Sequence, residues 1–188
     1  MNYYALQVKA RAENKFIKHF KNSHPEAHLS IHYPQRQIDI RRNGKVRQTM
    51  QAVFPGYIFI EADEEEMLFH QRDLKRTYGF SRFLRSNQEI TPLSSSDLEL
   101  VLHFIKTFGP VAGRSRVYFN ENARIVVVDG PLRGLEGRIV KIDKRKGRAK
   151  VKLDLYQDSF AIDLAFEVIG SMEPQARYAG LTETKKAG

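Results

Sequence analysis

The chain has 188 residues and a mass of 21.7 kDa, enough for one medium domain or two small ones with real cores. Thirty-one Lys and Arg against 22 Asp and Glu give a formal charge of +9 and a pI near 9.7, which favours an extended acidic partner such as nucleic acid. With no cysteine at all, disulfide frameworks, thiolate nucleophiles, zinc knuckles and iron–sulfur ligation are excluded together. The start, MNYYALQVKARAENKF, carries no apolar core of signal-peptide length, and no run of about 18 apolar residues occurs, so a cytoplasmic protein without a membrane partner is expected.

In chain order, Tyr3 to Val8 reads as a strand, followed by a helix whose Ala12, Phe16, Ile17 and Phe20 fall on one stripe, closed near Pro25. Leu29, Ile31 and Tyr33, then Ile38 and Ile40, alternate with polar residues. Asn43-Gly44 then supplies a hairpin turn with a basic tip. After Pro55-Gly56, Tyr57 to Ala62 reads as a buried strand. Three glutamates open a helix over Glu64 to Lys75, where negative charge suits the positive end of the helix dipole. Phe80 to Leu84 is a further strand, and a third helix starts at Ser94-Ser95-Ser96-Asp97 and ends near Gly109-Pro110.

After Gly109 the texture changes, because glycine and proline interrupt GPVAG and helical periodicity stops. Residues 109–119 are therefore expected to form a flexible linker. Arg124 to Asp129, Gly137 to Asp143, Arg148 to Tyr156 and Phe160 to Phe166 are short β-branched runs separated by tight turns, the pattern of a small β-barrel over 120–170. The final stretch, 171–188, has little to bury and is expected to be disordered. The fold class is α+β: an N-terminal α/β sandwich with a mainly antiparallel sheet over 1–108, then the barrel.

Three stretches, YYALQVKARAENKF, FPGYIFI and RIVVVDGPLRGLEGRIVKID, make the chain resemble the NusG family of transcription elongation factors over roughly residues 2 to 170. The resemblance implies a NusG N-terminal domain followed by a KOW domain of SH3-like barrel form. The glycines of the last stretch, Gly130, Gly134 and Gly137, are explained by turn geometry without any ligand.

Two surfaces stand out. In the strand from Tyr57, Tyr57 and Phe59 share one face while Ile58, Ile60 and Ala62 share the other, so both faces are apolar. Helices cover one face of such a sheet. The other is ordinary core or an interaction site. The resemblance implies that Tyr57 and Phe59, with Tyr3, Phe80 and Phe83 as neighbours, grip the clamp helices of RNA polymerase. The second surface is basic: Arg133, Arg138, Lys141, Lys144, Arg145, Lys146, Arg148, Lys150 and Lys152 face only Glu136 and Asp143 in that interval. The KRKGR stretch lies at a hairpin tip, where cations converge on phosphates or merely solubilise a turn. A further set brackets the first helix and the hairpin, and within it Lys9 and Arg11 fall where the family contacts the non-template DNA strand.

No catalytic constellation is present. His24, His28 and His32 are spaced by four, but Pro25 breaks the first interval. Alternation makes the second a strand, placing His28 and His32 about 13 Å apart, so no metal site and no cofactor are expected. Walker, Rossmann and nucleophile-elbow spacings are missing, so the chain is not expected to be an enzyme. Within the family, DLYQDSFAIDLAFEVI lacks the glycine, arginine and proline of the segment that holds ribosomal protein S10 or Rho. The basic KOW stretch is more similar to the specialised LoaP antitermination paralogs, which implies a leader RNA hairpin as partner of a monomer. The alternatives are a housekeeping factor coupled to Rho or S10, and a ribosome-associated KOW protein. The β-branched centre and Gly147 predict a C-terminal domain that stays a barrel rather than refolding into helices.

Overall fold

Alternating apolar residues in Asn2–Val8 (β1) and Tyr57–Ala62 (β5) form the centre of a four-stranded antiparallel sheet in this computed structural model, which describes residues 1–84 and 86–170. Ser30–His32 (β2) joins the β5 edge and Phe80–Phe83 (β6) the β1 edge. Glu13–Ser23 (α1) and Glu64–Arg76 (α2) cover one face. There Phe16, Phe20, Met67 and Leu74 pack on Tyr4, Leu6, Ile58, Ile60 and Phe83. The start of α2 follows the expectation from its glutamates: the Asp63 carboxylate caps the helix by accepting the Glu66 N–H at 2.9 Å, and Lys75 and Arg76 close the last turn.

Gln35–Arg42 (β3) and Lys45–Ala52 (β4) form the anticipated hairpin, turning on Asn43 and Gly44 at φ 51° and 74°. Two consecutive left-handed residues match the twist of the flanking strands. Ser95–Ile105 (α3) packs through Leu100, Val101 and Phe104 against the sheet face opposite α1 and α2.

The stretch expected to be a flexible linker carries two strands. Val111–Ala112 (β7) pairs in parallel with β3, and Ser115–Phe119 (β8) enters the C-terminal sheet. That sheet has the order β10-β11-β12-β8-β9, with Ile125–Asp129 (β9), Ile139–Asp143 (β10), Arg148–Leu155 (β11) and Asp158–Val168 (β12). The four expected runs are strands. β8 was hidden by the breakers before it, and no ladder joins the end strands β9 and β10 among the described residues. The expected barrel is thus a curled, open half-barrel. Its first turn needs glycine: Gly130 has φ 91°, and a Cβ there would lie 2.5 Å from the Cα of Ser115. The tail from 171 lies outside the described residues.

One continuous core joins the two halves. Tyr3, Phe54, Tyr57, Phe59, Leu100 and Phe104 share a cluster with Leu132, Leu135, Val151, Leu153, Ile162, Leu164 and Phe166. The second face of the N-terminal sheet is therefore closed by α3 and by the C-terminal half-barrel together.

Candidate functional site

Strand alternation sends Tyr3, Tyr57 and Phe59 to the face away from α1 and α2, as the sequence suggests. Phe59 and Tyr57 are at most 1% exposed. Phe54 is the hub of this face, meeting Phe59 at 5.4 Å, Phe104 at 5.8 Å and Phe160 at 6.0 Å between ring centres, all edge-on. Phe160, from β12, also meets Tyr57 edge-on at 5.8 Å. The Tyr57 hydroxyl donates to the Asp158 carboxylate; burial and that anionic acceptor raise its pKa well above the ordinary value of 10. Tyr3 sits under the Lys106 ammonium, 5.4 Å from the ring centre. Phe80 and Phe83 do not join this group. Their rings pack 5.2 Å apart in the core under α1 and α2, because β6 presents them to the other side of the sheet.

Polar bolts surround the aromatic contact. Arg36 is 8% exposed and donates to the carbonyl of Asp163 at 2.9 Å, to Gln51 Oε1 at 3.0 Å and to the carbonyl of Ala52. Burial lowers its pKa to about 10, still leaving it charged. Arg148 donates to the carbonyl of Asp39, Asp97 accepts the Tyr156 N–H at 3.0 Å, and His103 Nε2 donates to the carbonyl of Pro131 at 2.9 Å. The sequence reading missed Phe160, Asp158 and Arg36 as members of this contact. One signal was available: Arg36 lies two residues before Ile38, on the same strand face, and a cation on an apolar stripe implies a buried partner.

The basic residues separate into an exposed tip and a ridge paired with carboxylates. Arg148, Lys150 and Lys152 alternate outward along β11 while Ala149, Val151 and Leu153 point into the core. Lys150 lies 3.2 Å and Arg148 3.9 Å from the Asp163 carboxylate, and Lys152 lies 3.7 Å from that of Asp154. At the turn, Lys144, Arg145 and Lys146 are exposed. Lys146 reaches Asp143 at 3.6 Å, and Lys144 lies 3.8 Å above the Phe119 ring centre. Lys141 is exposed on β10, and Arg133 is exposed in the turn after Gly130, apart from the tip. Lys9 and Arg11 are exposed between β1 and α1. His24 stacks on Phe20 at 4.9 Å and His32 bonds Glu61 at 2.9 Å, so the histidine series is dispersed. No helix is long and apolar enough to cross a membrane among the described residues.

Residues 1–102 match the family model described as transcription termination factor NusG. The chain is 26% identical to the transcription termination/antitermination protein NusG of Helicobacter pylori over 171 residues, covering 87% of this chain and 94% of that protein. It is similar to the proteins of the same description from Thermus thermophilus, at 26% identity over 70% of this chain and 74% of that one, and from Bacillus subtilis, at 27% over 73% and 76%. Among solved structures, one describing domain interaction in Thermotoga maritima NusG matches with a TM-score of 0.42 at 15% identity, covering 87% of this chain and 93% of that chain.

Proposed function

The chain belongs to the NusG family, whose model spans more than half of it, and from that premise we propose that it is a processive antitermination factor of the LoaP kind. At the coarser level it is a NusG-like, non-enzymatic transcription factor of elongation, termination or antitermination. In the proposed mechanism the face of Tyr3, Tyr57 and Phe59 binds the clamp helices of RNA polymerase, the basic tip of the KOW domain holds a leader RNA hairpin, and Lys9 and Arg11 follow the non-template DNA strand.

The observation that carries this reading is the aromatic face itself: a sheet surface of large rings that α3 covers only in part, the rest being closed by the C-terminal unit, whose Phe160 lies over Phe54 and Tyr57. For polymerase to reach Tyr57, the contacts of Phe160, Asp158 and the Arg36 bolt have to part, so docking is coupled to opening. Three further contacts support a cover able to leave, because each pairs a charged side chain or imidazole with backbone at the rim of the contact. Such groups exchange readily with water. The Lys144-Arg145-Lys146 turn stays accessible in the covered arrangement, which suits an RNA contact made through phosphates.

Transcription past a terminator, with and without the gene's own leader, tests the reading. Readthrough that requires both the protein and the leader supports it. Equal readthrough on any leader would point to the general elongation factor, and co-purification with ribosomes without polymerase would point to the ribosomal alternative.

A further inference from the structure

The β3–β4 and β10–β11 hairpins, far apart in sequence, come together at their basic ends. Arg148, at the base of the β10–β11 turn, donates to the carbonyl of Asp39 on β3. Between the hairpins lies a cleft of about 380 Å³ lined by Asp39, Ile40, Arg41 and Val46 from one side and Arg145, Lys146 and Arg148 from the other. Four cations and one carboxylate line it; Asp39 is engaged by Arg114, while Lys146 and Arg148 also reach Asp143 at 3.6 Å and Asp163 at 3.9 Å. A second cleft, lined by Lys141, Lys150, Asp143 and Asp163, shares Lys146 and Arg148 with the first, so the two adjoin as a groove in which cations outnumber carboxylates.

Val46 is 54% exposed and pairs with Arg41 across the hairpin, so an apolar and a cationic side chain share the face that lines the cleft. Cations beside an exposed aliphatic side chain suit a phosphodiester strand whose backbone follows the cations while an unstacked base or sugar lies on the aliphatic surface. A cleft of this volume is at the small end of binding pockets.

We propose that the closed molecule binds single-stranded nucleic acid in this groove, which exists only while the two halves are packed together. The inference rests on the reading of the Lys144–Lys146 tip as a phosphate-binding element and extends it to the β3–β4 hairpin. Because the groove belongs to the closed arrangement, a bound strand favours closure. By thermodynamic reciprocity it opposes any ligand that needs the aromatic face uncovered.

The test uses the full chain carrying Asp97→Cys and Tyr156→Cys, at positions that meet where Asp97 accepts the Tyr156 N–H at 3.0 Å; in a protein without native cysteine these are the two thiols available, and a thiol count after oxidation establishes the cross-link before binding is measured. Fluorescence anisotropy measures binding of one labelled single-stranded oligonucleotide, made as RNA and as DNA. In the oxidised chain Arg41→Ala should lower affinity about fivefold and reduce the salt slope by about 0.7. In the reduced chain opened by Phe160→Ala, Arg41→Ala should change affinity less than twofold, while Arg145→Ala weakens binding in both. Equal effects of Arg41→Ala in the two states, or none in the closed chain, would overturn the composite groove and leave the tip reading intact. Absence of any binding at low salt would overturn the groove together with the tip reading, while leaving polymerase docking to its own assay. Matching RNA and DNA affinities assign recognition to the shared backbone; a preference for RNA assigns part of it to the 2′-hydroxyl.

Discussion

The two faces of the N-terminal sheet are both apolar, yet they are closed in different ways. Under α1 and α2, Leu6, Phe16, Ile58 and Leu74 are fully buried within one unit of chain. On the other face, Tyr57 and Phe59 are equally buried, but the cover is shared: Phe54, and Phe104 of α3, supply part of it, and β12, about a hundred residues later, supplies the rest through Phe160, Asp158 and a rim of polar bonds. Burial alone thus does not separate the two faces; the connectivity of the cover does, and on our proposal the second face is a surface reserved for polymerase.

Substitutions should break the two faces differently. Phe16→Ala, on the permanent face, is expected to cost about 3–5 kcal/mol of global stability in denaturant unfolding. Arg36→Ala removes the bond to the Asp163 carbonyl across the halves and that to the Ala52 carbonyl of its own hairpin, and should cost about 1–3 kcal/mol, read as earlier loosening of the C-terminal unit in hydrogen exchange. Asp158→Ala combined with Phe160→Ala should raise polymerase affinity about tenfold, by removing roughly 1.4 kcal/mol of closure. If affinity is unchanged, the cover does not compete with polymerase. A smaller effect comes from pH. The buried Tyr57 hydroxyl titrates well above the value near 10 that it has when unfolded. Its contribution to closure is therefore complete below pH 10 and is lost as pH rises toward the folded value. Tyr57→Phe should reduce the alkaline dependence, leaving the part that Tyr3 and Tyr33 contribute, measured by the change in fluorescence between neutral and alkaline pH.

Much of this arrangement was legible in residue order. The periodic stripes of Phe16 and Phe20, the Glu64–Glu66 helix start, the Asn43-Gly44 turn and the alternation of β11 all report local geometry, which neighbouring residues determine. The aromatic grouping was legible for Tyr3, Tyr57 and Phe59 through strand parity. It failed to separate out Phe80 and Phe83, because the short β6 pairs with β1 through a bulge that resets which side chain faces where. Hidden entirely were β7 and β8. Residues 109–119 look like a linker because Gly109, Pro110 and Gly113 interrupt their start, and only pairing with β3, β9 and β12 makes strands of 111–112 and 115–119. The Asp158 and Phe160 contact was invisible for a related reason: no local pattern records which distant surface a side chain meets.

The reserved-surface account is tested most directly by polymerase binding to the Asp97→Cys, Tyr156→Cys chain, oxidised and then reduced in the same sample. The account predicts that the oxidised chain does not bind and that reduction restores binding, with Tyr57→Ala plus Phe59→Ala abolishing the restored binding in a folded protein. Equal polymerase affinity before and after reduction would contradict it.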